Sequence, residues 1–256
     1  MLLIMFFLLG IYIYVIWKKK FRPINIKPYK LFKNQKIESM LLLKEQGHCN
    51  INYCLKTKKQ SYLLRNFKHK SNRKAEFYIQ NLAHKKGVTA EALLLDEKNN
   101  IMICDYIEGE HLSKLDVKNI RKLALCLKKL HAIKIQQYPI DFKRNFKYKN
   151  KKVYEAYKVL SQFKPDYVLG HNDLHPKNIL FGNKVQFIDW EYAGKSDKYF
   201  DLATTIIEFK FNKQEEKKFL RNYFNYRTSP NHKKLKAYKV IYKALWTEWF
   251  GKLERG

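Results

Sequence analysis

Three short runs separated by polar turns stand out ahead of the first helical pattern, residues 39–44, 51–57 and 61–67. Each run closes on a polar turn, and the pattern predicts three strands. From residue 72 to 86 the period lengthens and Ala75, Ile79, Leu82 and Ala83 fall on one face, which predicts an amphipathic helix. Residues 91–95 and 101–107 predict two more strands around the polar turn 96–100. Beyond Asp116 helical spacing dominates. Asp116 is a predicted N-cap, followed by a stripe of Ile120, Leu123, Ala124, Leu127, Leu130 and His131. Residues 149–163 predict a second helix. Residues 233–253 predict a last one, with Leu235, Tyr238, Ile241, Tyr242, Leu245, Trp246, Trp249 and Phe250 on its apolar side. The expected fold class is α+β, with a small lobe of five strands and one helix followed by a mainly helical lobe.

The first seventeen residues, Met1 to Trp17, are almost wholly apolar, and Lys18, Lys19 and Lys20 follow at once. A signal peptide would carry positive charge before the apolar stretch and small residues at a cleavage site, and neither is present. At helical rise the stretch covers about 25 Å, the short end of a membrane span. The lysines behind it would keep the remainder on the cytoplasmic side. Residues 1–20 are therefore expected to anchor a cytosolic body, with a buried N-terminal helix and a start codon set too far upstream as alternatives. Residues 21–37, with Pro23 and Pro28, predict a connector. The expected lobes are then 38–106 and 107–256.

Composition narrows the function classes. The chain has 256 residues, is 46% hydrophobic, and carries 52 Lys+Arg against 23 Asp+Glu, for a net charge of +29. That much apolar material excludes a disordered or collagen-like chain. Its four cysteines, Cys49, Cys54, Cys104 and Cys126, form no C-x-x-C pair, which argues against a disulfide scaffold or zinc site. The charge invites a nucleic-acid reading through counterion release. However, the cations are 44 Lys to 8 Arg and are spread along the whole chain. Arg is the preferred fork for phosphates and base edges, so a solvated lysine surface and no specific nucleic-acid partner are expected.

The chemistry gathers in the run from Gly170 to Phe181, where Asp173 is followed by Asn178, and eleven residues later Asp189 stands in Ile188-Asp189-Trp190-Glu191-Tyr192. Phosphoryl transfer needs a carboxylate to orient or deprotonate the acceptor hydroxyl, and oxygen ligands for a magnesium ion that bridges the phosphates. An Asn and an Asp on adjacent short strands meet the second need, and Asp173 the first.

His171-x-Asp173-x-x-x-x-Asn178 followed by Ile188-Asp189-Trp190-Glu191-Tyr192-Ala193 resembles the choline/ethanolamine kinase and aminoglycoside phosphotransferase superfamily. The resemblance runs from about residue 38 to the C-terminus. It implies a protein-kinase-like two-lobed fold, with ATP and Mg2+ as cofactors, Asp173 facing the acceptor, and Asn178 and Asp189 on the metal. Gly47, Asn50 and Asn52 are similar to the nucleotide-binding turn of bacterial choline kinases. Arg65 stands at the third-strand position for the phosphates, with Glu76 as its tether. Asp105 and Ile107 lie in the hinge that holds adenine through backbone groups. His131 and His171 are expected to be structural.

The same resemblance places Glu191, Tyr192 and Glu208 beside an amino-alcohol, with Glu191 also near the metal. Trp246 and Trp249, three apart on one helix, would complete a cage for a quaternary ammonium. The plainer alternative is that these aromatics only dock the helix. Thr204 departs from the Asn that many relatives carry there. The implied reaction is phosphorylation of choline or ethanolamine. Another kinase of the superfamily, for an aminoglycoside, thiamine or a cell-envelope sugar, is the alternative, followed by a non-catalytic membrane-tethered module. The charge pattern agrees with a cationic substrate: residues 166–208 hold seven acids against four lysines, and residues 105–116 four against one, within an otherwise strongly basic chain.

Overall fold

Short apolar-rich runs in the N-terminal half produce five strands, β1 (Ile37–Leu42), β2 (Asn50–Thr57), β3 (Ser61–Phe67), β4 (Ala92–Asp96) and β5 (Ile101–Asp105). They form one antiparallel sheet in the order β1-β2-β3-β5-β4. This is a computed structural model that describes residues 24–26, 28–44, 46, 50–69, 71–145, 151–226 and 228–253. The apolar segment 1–17, Gly47 of the expected phosphate turn and the Trp249 side chain lie outside the described residues. Among the described residues no helix is long and apolar enough to cross a membrane.

Successive residues of a strand point to opposite faces. In β3, Tyr62 and Leu64 therefore join Leu55, Ile101, Ile103, Ile26 and Phe32 on one face. Leu63 and Phe67 join Ala92, Met102 and Cys104 on the other. Arg65 falls on that second face, toward helix α1 (Arg73–His84). Asn72 caps α1, its side chain accepting from the Ala75 N–H at 3.1 Å. The Asn81 amide pins α1 to β4 through both the N–H and the carbonyl of Ala92, at 3.0 and 2.9 Å.

The C-terminal lobe contains α2 (Val117–His131), α3 (Lys151–Leu160), α4 (Lys198–Glu208), α5 (Lys213–Tyr223) and α6 (His232–Leu253). Two small antiparallel pairs lie among them: β6 (Tyr167–Gly170) with β9 (Gly194–Asp197), and β7 (Ile179–Phe181) with β8 (Val185–Phe187). The expected cap Asp116 accepts from the Asn119 N–H at 2.7 Å. The stripe of α2 is buried with Leu169, Leu174, Phe187, Trp190, Leu202 and Phe219, and Ile79, Ala83 and Val88 enter the same cluster from the other lobe. Burial of each such large side chain stabilises the fold by about 1.5–3 kcal/mol.

One seam joins the lobes directly. Past α1, the Phe187 N–H donates to the Val88 carbonyl at 2.8 Å. The Thr89 hydroxyl donates to the Phe187 carbonyl at 2.7 Å and accepts from the Trp190 indole at 3.1 Å. The end of β8, which delivers Asp189, is thus fixed to the N-terminal lobe. The lobes differ from the sequence expectation mainly at their edges. β1 starts two residues early, and β5 ends at Asp105, leaving Ile107 in the connection to the second lobe.

Candidate active site

Asp173 follows β6 in a loop held from below by buried groups. A Cβ at Gly170 would overlap the Ser196 hydroxyl, so only glycine fits. Asn172 adopts a left-handed φ of 65°, which Asn tolerates better than other side-chain-bearing residues. Its amide donates to the Tyr192 carbonyl at 3.0 Å and accepts from Ser196 Oγ at 2.7 Å. Beneath the loop, Asp201 is fully buried in the first turn of α4. Its carboxylate accepts from the backbone N–H groups of His171 and Asn172, each at 2.8 Å, and from His131 Nε2 at 3.0 Å. His171 Nε2 donates to the Ile188 carbonyl at 3.0 Å, and burial holds its pKa below the usual value, so the ring is a neutral brace.

Asp173, Asn178 and Asp189 come together above that base. Asn178 donates through Nδ2 to Asp173 Oδ2 at 2.7 Å and to the Asp173 carbonyl at 3.0 Å. The Ile188 N–H donates to the Asn178 carbonyl at 3.0 Å, which sets Asp189 beside Asn178. Asp189 has a left-handed φ of 63°, turning its carboxylate out of the strand direction. Burial first, and then the Asp189 charge, with Glu191 and Glu208 adding, push the Asp173 carboxyl up to about 7.

From the sheet, Arg65 reaches Glu76 Oε1 at 2.5 Å and, across the lobes, Asp189 Oδ1 at 2.6 Å. Arg65 and Glu76 are both buried. Opposite Arg65 on β2 stands Asn52, and directly opposing residues of an antiparallel pair share a face. Asn50 is buried at the start of the same strand. In the connection, Asp105 donates its N–H to the Glu91 carbonyl at 2.9 Å, and burial raises its carboxyl pKa. Ile107 is half-buried beyond it.

Two residues absent from the sequence expectation complete the network. Arg73 pairs with Glu76 at 2.6 Å and Glu191 at 3.4 Å, and its guanidinium stacks 3.8 Å over the Phe67 ring. The Arg73–Glu76 spacing of three is a readable helix pair, and that was its signal. His175 faces Asp173 Oδ2 at 3.9 Å through Nε2, while its Nδ1 accepts from the Lys177 N–H at 3.2 Å. Burial holds His175 down near 4, so the ring is neutral at physiological pH.

Among the residues expected beside the acceptor, Glu208 ends α4, and Tyr242 of α6 donates its hydroxyl to Glu208 Oε1 at 2.8 Å. Tyr192 is 48% exposed and Trp246, one turn beyond Tyr242, is 42% exposed. The Thr204 hydroxyl returns to its own helix, donating to the Phe200 carbonyl at 3.0 Å. Sequence periodicity placed Tyr242 on the apolar side of the last helix, with nothing to announce a polar partner for its hydroxyl.

A family model described as "Phosphotransferase enzyme family" matches residues 45–238. Protein LicA of Haemophilus influenzae is 26% identical over 209 residues, an alignment that covers 70% of this chain and 62% of that protein. The chain therefore spans less than two thirds of that relative's length. The crystal structure of choline kinase LicA from Streptococcus pneumoniae is similar at a TM-score of 0.75 and 25% identity, over 96% of this chain and 92% of that one. A structure of LicA in complex with AMP is similar at 0.69 and 26% identity, over 88% and 86%.

Proposed function

The chain belongs to the phosphotransferase enzyme family, and on that premise we propose that it transfers the terminal phosphoryl group of ATP to the hydroxyl of choline or ethanolamine. The observation that carries the reading is the convergence of Arg65 with Asp189 at 2.6 Å and of Asn178 with Asp173 at 2.7 Å, the two pairs joined by the Ile188 N–H on the Asn178 carbonyl at 3.0 Å. The likeness to choline kinase LicA supports the acceptor class, and the AMP complex of a LicA protein supports an adenine nucleotide.

In this reading adenine lies against the backbone of Asp105 to Ile107, and Gly47, Asn50 and Asn52 cover the phosphates. Arg65, held in a fixed direction by Glu76, neutralises phosphate oxygens with a fork that keeps its charge at any working pH. The oxygen set of the site fits magnesium. Asn178 spends its amide nitrogen on Asp173, so its amide oxygen is the end that could serve a cation, with the Asp189 carboxylate as the charged donor. Two such hard donors, with substrate phosphates, are the usual company of this ion. Asn178 and Asp189 would hold it, and when bound it would offset the charge developing on the phosphates.

Asp173 meets the acceptor hydroxyl through Oδ1, because Asn178 holds Oδ2. Its raised proton affinity, about 7, suits a base that takes up a proton as the oxygen attacks phosphorus. Glu191 and Glu208 supply negative charge near the ammonium, and Tyr192, Trp246 and Trp249 supply aromatic faces for it. Residues 1–17 would hold this body at the cytoplasmic face of a membrane; recovery of the full chain wholly in the soluble fraction would remove that part.

The test is a coupled ADP-release assay with choline, ethanolamine, thiamine and kanamycin in parallel. Stimulation by an amino-alcohol is expected. Stimulation by thiamine or kanamycin alone would overturn the assignment of the acceptor.

A further inference from the structure

Glu208 does not present a symmetric carboxylate to the cleft. Its Oε1 accepts the Tyr242 hydroxyl at 2.8 Å, and Tyr242 is itself fixed: 7% exposed, with its ring edge-on to Phe200 at 6.0 Å and 80°. Burial and the Glu208 charge both raise the Tyr242 pKa, so the phenol stays a donor at working pH. Phe200 in turn stacks on Phe142 at 4.1 Å. Trp246 stands four residues on, one turn along the same helix face.

Resting on the proposed acceptor class, we infer that Tyr242 is a positioning residue for acceptor choice, and that it favours choline over ethanolamine by occupying one oxygen of Glu208. A primary ammonium carries N–H donors and gains most when it can bond both carboxylate oxygens. A quaternary ammonium donates nothing; it needs only the negative charge and the aromatic faces. Engaging one lone pair of Oε1 and fixing the carboxylate's orientation weakens that two-oxygen grip, which penalises ethanolamine and leaves choline nearly untouched. A charge-assisted hydrogen bond is worth about tenfold or somewhat more in affinity, which sets the size of the discrimination expected from this one contact.

The test compares kcat/KM for choline and ethanolamine in the wild-type protein and in Tyr242→Phe. Wild type is expected to favour choline by about tenfold or more. In the variant the ratio should move toward ethanolamine by about tenfold, chiefly through a lower KM for ethanolamine. A merely structural role would lower both substrates alike and leave the ratio fixed, which overturns the inference. A wild-type preference for ethanolamine overturns it without any variant, so a poorly folding Tyr242→Phe does not shelter it. Turnover with neither amino-alcohol removes the acceptor reading and this inference with it, whereas turnover with an unmoved ratio removes this inference alone.

Discussion

Replacing Asp201 by Asn tests whether the catalytic loop is held from beneath. The carboxylate accepts three hydrogen bonds at 2.8, 2.8 and 3.0 Å from the His171 and Asn172 N–H groups and the His131 ring, and it is wholly buried. Hydrogen bonds to a buried charge are worth about 1.5–3 kcal/mol each, and a donor left without an acceptor costs about as much again. An amide keeps one acceptor oxygen and turns an NH2 toward donors, so at least one bond is lost and the others weaken. The expected loss is about 3–5 kcal/mol, a large share of the 5–15 kcal/mol typical of a folded domain. The loop itself carries Asp173, and a shift of about 1 Å at a reacting group costs on the order of a hundredfold in rate. Urea unfolding followed by tryptophan fluorescence gives the first quantity, and turnover at a temperature where the variant stays folded gives the second. A loss under about 1 kcal/mol together with kcat within threefold of wild type would refute the idea that Asp201 holds the loop.

The remaining expectations concern the reacting groups. Asp173→Ala and Asp189→Ala should each abolish turnover while circular dichroism remains native; activity within a few-fold of wild type in either would sink the assignment. Arg65→Lys should raise the KM for ATP and lower kcat by tenfold or more, since an ammonium cannot span Glu76 and Asp189 at once; unchanged kinetics would show that the fork is not used. Asp173 also makes a stability prediction. Its folded pKa of about 7 lies above the unfolded value near 4, so ionisation costs stability progressively as pH rises from about 4 through 7. Asp173→Asn should therefore match wild type near pH 4 and exceed it by about 1–3 kcal/mol at pH 8, after a discount for the partial exposure of the group. Equal denaturation midpoints at both pH values would contradict that sign.

How much of this was legible from the chain depends on whether a residue's role is local. β3 was readable to the residue because Ser61–Phe67 is a short apolar-rich run set off by polar residues on either side, and α1 because one face is apolar. α4 was not, because Tyr199 through Ile206 are all buried, polar Asp201, Thr204 and Thr205 included, so no solvent-facing side marks it as a surface helix. α5 is lysine-rich, with only Phe219, Leu220 and Tyr223 buried, yet Asn212 and Glu215 form a capping box that could have marked its start. The Arg65–Glu76 pair was anticipated from resemblance, whereas the reach of Arg65 to Asp189 spans 124 positions and follows from no spacing. Thr89 gave no signal, since its value comes from accepting the Trp190 indole.

That threonine has a consequence for control. With Val88 and Thr89 bonded to Phe187 and Trp190, swinging α1 outward would break three hydrogen bonds, at about 1 kcal/mol each, and bring buried Val88 into water. A helix fastened in this way makes a poor switch. The ion pair on Glu76 is a standing part of the molecule instead of something assembled on command.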